Sequence, residues 1–316
     1  MLGRMTDQRH SSQTAGVLLT LTAAVSVGTL GPVAAVAYDA GLAPATLSAL
    51  RAAIGASVLF AVILIGRRPR ASLATLPRRQ VAMLVTAVLV NGLMNLALFL
   101  AFGAMSVALV MVLFYLYPGI TAVGAAALGR ERLTPIRVAA LALAGLGLIL
   151  VLGDRLASGG QAAPIGIVLA CAAAIGHAAY FLLVRDGFPD VPSVNATAWV
   201  LAGGVLISGT AAVVAEGLGI SGGWLTSQTA WLAVLVAGTV GAAFPKVLIM
   251  HGVRTIGSTR AALVMLMEPV TAVVVAAIAL NQTLSATSAV GAIAILVAAA
   301  VVQRPDPAAT AMAASR

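Results

Sequence analysis

The chain is a succession of long apolar runs separated by short polar joints. Ten runs stand out: 15–37, 45–65, 81–102, 106–128, 138–153, 163–184, 196–216, 229–250, 260–280 and 286–302. About 20 apolar residues cross the hydrocarbon core of a bilayer as a helix, close to the length of most of these runs. Lipid offers no water to unpaired backbone groups, so helices rather than open strands are expected. The predicted fold is an all-α membrane protein with ten transmembrane helices. The first run follows Arg4 and Arg9, and its Ala35-Val36-Ala37 imitates a signal-peptidase site. Its apolar stretch is longer than a signal peptide's and nine further runs follow, so it is expected to stay as a span.

Composition agrees with the pattern. Of 316 residues, 61% are hydrophobic and 9% charged, against about a quarter charged in a soluble domain. Mean hydropathy is +1.08. A soluble globule, a disordered chain and a secreted disulfide scaffold are excluded, and the lone Cys171 lies inside an apolar run. The net charge of +9 does not imply nucleic acid, because the arginines sit in the joints between runs.

Those arginines give an orientation. Arg4 and Arg9 precede run one; Arg67, Arg68, Arg70, Arg78 and Arg79 lie between runs two and three. Arg130, Arg132 and Arg137 follow run four, Arg185 run six, Arg254 run eight, and Arg304 and Arg316 run ten. All fall on one side, with only Arg155 opposite, so both termini are expected in the cytoplasm. The tails are then 1–14 and 303–316.

The sequence also repeats. Gly16 matches Gly166 and Ala45-Thr46 match Ala196-Thr197. At an offset of 151, Pro118, Val123, Ala125 and Ala126 match Pro269, Val274, Ala276 and Ala277, and Leu133-Thr134 match Leu284-Ser285. Two halves, 15–153 and 163–302, carry five runs each. An odd number makes the second half enter the membrane from the opposite face, an inverted repeat of the kind secondary transporters use, with the substrate site near mid-membrane between the halves.

Two segments resemble a known family. "LYPGITAVGAAALGRERL", ending at Leu133, and "RAALVMLMEPVTAV", beginning at Arg260, are similar to the paired signatures of EamA-type permeases of the drug/metabolite transporter superfamily. Leu50-Arg51 resembles the same pattern, and the likeness covers both halves. It implies a ten-helix transporter of small metabolites, commonly an exporter of amino acids or related compounds. "GLMNLALFLAF" and "AAFPKVLIM" are more weakly similar to threonine/homoserine exporters. The second half departs from the family: Gly129-x-Glu131-x-Leu133 has Asn281-Gln282 as its counterpart. Lys246 stands where the resembled family usually has an aromatic residue, so no role carries over to it.

Polar groups inside the runs are the candidate site, since a charge at the bilayer centre costs about 2.5–3.5 kcal/mol. By the internal offset Lys246 pairs with Asn95, and Asn91 lies one turn before Asn95 on the same face. Together they either line a substrate path or, for a lysine read as four residues from the cytoplasmic edge, snorkel to the headgroups. Glu268 precedes Pro269 as Tyr117 precedes Pro118, and each proline frees a carbonyl and kinks its helix. If runs eight and nine are neighbours, Lys246 and Glu268 are expected to form an ion pair, either broken by substrate or proton or static. Arg51 either binds a carboxylate, or snorkels or caps backbone carbonyls. His177 either carries a proton or packs as a neutral contact. Tyr115 and Tyr117, beside Phe114, either line a pocket or form a packing patch.

A membrane-embedded enzyme, a channel and an ATP-driven pump are the alternatives to secondary transport. The sequence has no His-x-x-Glu-His, Gly-x-Ser-x-Gly, filter-like loop or phosphate-binding loop. The first run holds no acid, while Arg51 and Lys246 are cations. A carboxylate-bearing solute such as an amino acid therefore fits better than a lipophilic cation. The alternative is a proton-coupled drug or organic-acid efflux pump of the same fold. No cofactor, metal or nucleic acid is expected; the partners are a small solute, the bilayer and, in the coupled reading, protons.

Overall fold

The computed structural model describes residues 2–66, 75–105, 107–157, 163–216, 223–279 and 285–303. Among them there is no strand. The helices are α1 (Leu2–Gly28), α2 (Leu30–Asp39), α3 (Pro44–Ile65), α4 (Arg78–Ala104), α5 (Val107–Phe114), α6 (Tyr117–Ala127) and α7 (Pro135–Ala157). The second half adds α8 (Pro164–Asp186), α9 (Ser193–Glu216), α10 (Gln228–Gly238), α11 (Phe244–Ile256), α12 (Ser258–Val264), α13 (Met267–Ala279) and α14 (Ala286–Gln303). A π turn, Thr239–Ala243, joins α10 to α11.

Eight helical segments are long and apolar enough to cross a membrane: Ser12–Asp39, Pro44–Ile65, Arg78–Ala104, Leu109–Ala127, Pro135–Gly153, Pro164–Asp186, Ser193–Val214 and Gln228–Ile256. Ala286–Val301 is a shorter apolar helix. The remaining predicted span, 260–280, is the broken pair α12 and α13. Ten full crossings are therefore an expectation that eight segments satisfy by length and composition.

Local chemistry explains the boundaries. Proline opens α3, α6 and α8 within the first two positions, where its missing N–H costs nothing. Ser227 caps α10 by accepting from the Ala230 amide at 3.2 Å. Hydroxyls inside the helices return to the preceding turn, as Thr20 does to the Gly16 carbonyl (2.8 Å) and Thr121 to that of Tyr117 (2.7 Å).

The sequence expectations need several adjustments. Helix α1 extends back through the predicted tail to Leu2. Arg254, expected in a joint, lies within α11, which ends at Ile256, so Lys246 is ten residues from the end of its helix rather than four. Arg137 and Arg185 likewise lie within α7 and α8. The fourth and ninth runs are broken where the prolines predict, at Tyr115–Leu116 and Met265–Leu266. Arg67, Arg68, Arg70, Arg304, Arg316 and Asn281-Gln282 lie outside the described residues, as do the side chains of Arg4, Arg9 and Arg155.

The packing repeats with the two halves exchanged. α3 packs on α9 and α7 on α14, each pair mapping onto itself; α4 on α8 mirrors α1 on α11, and α6 on α8 mirrors α1 on α13. Between lipid-bathed helices close approach replaces the hydrophobic drive, so small residues sit at the seams. A side chain at Gly291 would meet the Gly147 carbonyl at 2.5 Å and the Val151 amide at 2.7 Å. Ser48 and Ser208 share a hydrogen bond of 3.1 Å across α3 and α9.

Candidate functional site

A cavity of about 450 Å³ lies between the halves, bounded by α1 to α5, α7, α8, the π turn, α11 and α13, and mostly apolar. Of the eight predicted site residues, Arg51, Asn95, Tyr115, His177, Lys246 and Glu268 line it. Asn91 and Tyr117 stand behind the wall.

Arg51, two turns into α3, is buried. Its Nη2 donates to Asn95 Oδ1 at 2.8 Å and its guanidinium lies over Phe99, 5.2 Å from the ring centre. Asn95 Nδ2 in turn donates to the Asn91 carbonyl at 2.8 Å and to Asn91 Oδ1 at 3.2 Å. The one-turn spacing of the asparagines thus builds a relay that holds the arginine head in place. Capping of carbonyls by Arg51, one of the sequence alternatives, is not what the described contacts show.

Lys246 does not pair with Glu268. No ion pair joins them among the described residues; the Lys246 ammonium lies 5.5 Å from the centre of the Tyr180 ring. Run nine does meet run eight, but through α12 on α11; Glu268 lies on α13, and α11 and α13 each pack on α1. Glu268 instead shares the cavity wall with Tyr115 and Arg51. Two cations and one carboxylate therefore face a common space without touching.

His177 is set in an aromatic cluster. Its ring lies 4.4 Å from that of Tyr117, 5.1 Å from Phe114 and 5.0 Å from Phe181, and its Nδ1 meets Met94 Sδ at 2.9 Å. Tyr117 reaches the Ala262 carbonyl at 3.4 Å, joining α6 to α12.

Among the described residues, buried polar atoms with no hydrogen-bond partner include two on the cavity wall, Arg51 Nε and the Tyr115 hydroxyl, and two on residues outside its lining, Asn91 Nδ2 and the Tyr180 hydroxyl. Each buried unsatisfied group costs about 1–3 kcal/mol, so this concentration fits a site completed by a guest or by water.

The opposite end of the bundle is closed by charges that sequence reasoning did not assemble. Glu131, after α6, meets Arg185 of α8 at 2.5 Å and Arg137 of α7 at 3.3 Å, and accepts from Ser258 of α12 at 3.3 Å. Gly257 turns there with φ +89°, a conformation that favours glycine, and a Cβ would crowd Glu131 at 3.0 Å. Arg130 meets Asp186 at 3.6 Å. Arg254 donates to the carbonyls of Val191 (2.7 Å), Phe188 (3.1 Å) and Val184 (3.3 Å), tying the last turn of α8 and the joint before α9 to α11. The Gly-x-Glu-x-Leu element was visible in the sequence; its partners, from α7, α8 and α12, were not.

A helical bundle with several apolar spans around a polar-studded cavity defines a multi-pass membrane protein with room for a small guest. The chain belongs to the EamA-like transporter family, which it matches over residues 14–153 and 164–304, one match per half. No curated protein matches it in sequence. A crystal structure described only as that of a protein is similar at 25% identity and a TM-score of 0.73, over 92% of this chain and 96% of that one.

Proposed function

We propose that the protein is a secondary transporter that exports small carboxylate-bearing metabolites, such as amino acids, by alternating access between its two halves. The observation that carries this reading is the cavity where Arg51 and Lys246 face Glu268 with unpartnered polar atoms around them. A buried charge in a membrane protein needs a partner, and a carboxylate guest supplies one to the cations while an ammonium matches Glu268. The apolar remainder of the wall accommodates a carbon skeleton.

In this reading the chain crosses a cell membrane ten times, as five helices in each of two inverted repeats, 15–153 and 163–302, with tails 1–14 and 303–316 in the cytoplasm. The arginine bias supports that orientation. The cavity reaches Pro32, Ala35 and Phe102, away from the Glu131 cluster, so it opens outward and the ionic end is the cytoplasmic gate. Proton coupling, with Glu268 as the exchanging carboxylate, is the second reading; it rests on the absence of an ion pair to Glu268 among the described residues.

The test is efflux and counterflow of a panel of labelled amino acids and organic acids in proteoliposomes, with and without a pH gradient. Wild-type protein should move at least one carboxylate-bearing solute, and Lys246→Ala and Glu268→Gln should each slow that solute tenfold or more. Unchanged transport in both variants would remove the cavity from the mechanism.

A further inference from the structure

Lys246 reaches the cavity only because its helix is interrupted. In an uninterrupted α-helix each residue advances about 100°, so positions eleven apart share a face. Lys246 is eleven residues after Leu235, which is 47% exposed beside the exposed Trp231 and Leu232. An unbroken helix from α10 to α11 would therefore aim the lysine into lipid. The π turn Thr239–Ala243 takes up one residue more than an α turn, and its wide hydrogen bond is present: the Phe244 amide donates to the Thr239 carbonyl five residues back. The outward stripe confirms the added rotation. Phe244 and His251 continue the exposed face of Trp231, Leu232, Leu235 and Val236 only if one residue is left out of the count.

The cause is next to the lysine. Pro245 has no N–H, and in a regular helix its ring collides with the carbonyl four residues earlier. Widening the preceding turn moves that carbonyl aside. In the first half, the positions equivalent to Pro245-Lys246 are Met94-Asn95, without proline, and α4 runs through them as a continuous helix.

We propose that Pro245 and the π turn it induces are a positioning device that rotates Lys246 out of the lipid face and into the cavity. The proposal bears on transport through the reading of the cavity as the binding site, but its test needs no transport and can fail separately.

Lys246 is the single lysine of the chain, so amine chemistry reports on one side chain besides the N-terminus. Reconstituted protein is acetylated with a sulfonated succinimidyl acetate, which is water-soluble and excluded from hydrocarbon, and the Lys246 peptide is read by mass spectrometry. Wild type should react, and Pro245→Ala should react at least tenfold more slowly as the helix relaxes and the lysine turns outward. Deleting Val240 in the Pro245→Ala background removes the additional residue from a now regular helix, and should restore labelling to within about threefold of wild type. Wild-type labelling in Pro245→Ala, or no recovery in a monodisperse double variant, overturns the proposal. On the unaltered backbone, in a Cys171→Ser background, Lys246→Cys should react with an aqueous thiol reagent and Leu235→Cys should not. Equal reactivity of the two overturns it even if Pro245→Ala fails to fold.

Discussion

Glu131→Gln is the sharpest probe of the closed end. The substitution keeps shape and removes the charge that holds Arg185 and Arg137 while accepting from Ser258. Breaking a fully buried pair costs about 3–5 kcal/mol, whereas a surface pair contributes about 0–1 kcal/mol. Here the glutamate side chain is 9% exposed and its arginines 17% and 24% exposed, so both arginines can turn to water once released. The loss then falls between the limits, at about 2 kcal/mol. If the network exists only while that end is shut, the whole loss shifts the opening equilibrium, by roughly thirtyfold at 1.4 kcal/mol per decade. Ala262 is fully buried behind the network, where its carbonyl accepts from Tyr117. In a Cys171→Ser background, Ala262→Cys should react with a water-soluble maleimide up to about thirtyfold faster when Glu131 is also Gln. A rate within twofold of the parent would show that the cluster does not gate that end.

Other consequences follow from the same geometry. Arg51→Lys cannot span from Asn95 to the Phe99 ring with one planar group; counterflow of the transported solute should show its half-saturating concentration rising by tenfold or more. Gly291→Val puts side-chain atoms against the Gly147 carbonyl and Val151 amide, backbone that cannot step aside. It should lower stability by about 1–3 kcal/mol, read as a fall in Tm in detergent with the purified yield. Arg254→Met removes three bonds from the last turn of α8 and the joint that follows it while keeping most of the packing bulk. Tm should fall here too, and an undisturbed melt would mean that water already serves those carbonyls.

Much of this fold was legible because lipid simplifies the grammar. Apolar length marked the spans, and the paired prolines at 118 and 269 marked the two broken ones. The offset of 151 anticipated an exchange-symmetric bundle. What failed was local. Arg254 looked like a loop cation, which shortened run eight and put Lys246 four residues from its end instead of ten; the arginine is inside the helix, where the carbonyls of Val184, Phe188 and Val191 receive it. The Lys246–Glu268 pair failed because run nine meets run eight through α12, whereas Glu268 lies on α13. Six of the eight proposed residues converge on one cavity, yet which of them touch each other depended on register. Pro245, printed beside the lysine, was the overlooked sign that the register slips.

The exchange of seams between halves has a further corollary. In the proposed alternating-access cycle, lending each copy the posture of its twin would produce the opposite-facing shape without inventing any new helix pairing. Under that swap α3–α9 and α7–α14 return to themselves, like an axle, whereas α4–α8 and α1–α11 trade partners. Substitutions on the axle should weigh equally on both shapes and register as robustness. Those on the traded seams should favour one shape over the other, and so set the direction in which the molecule idles.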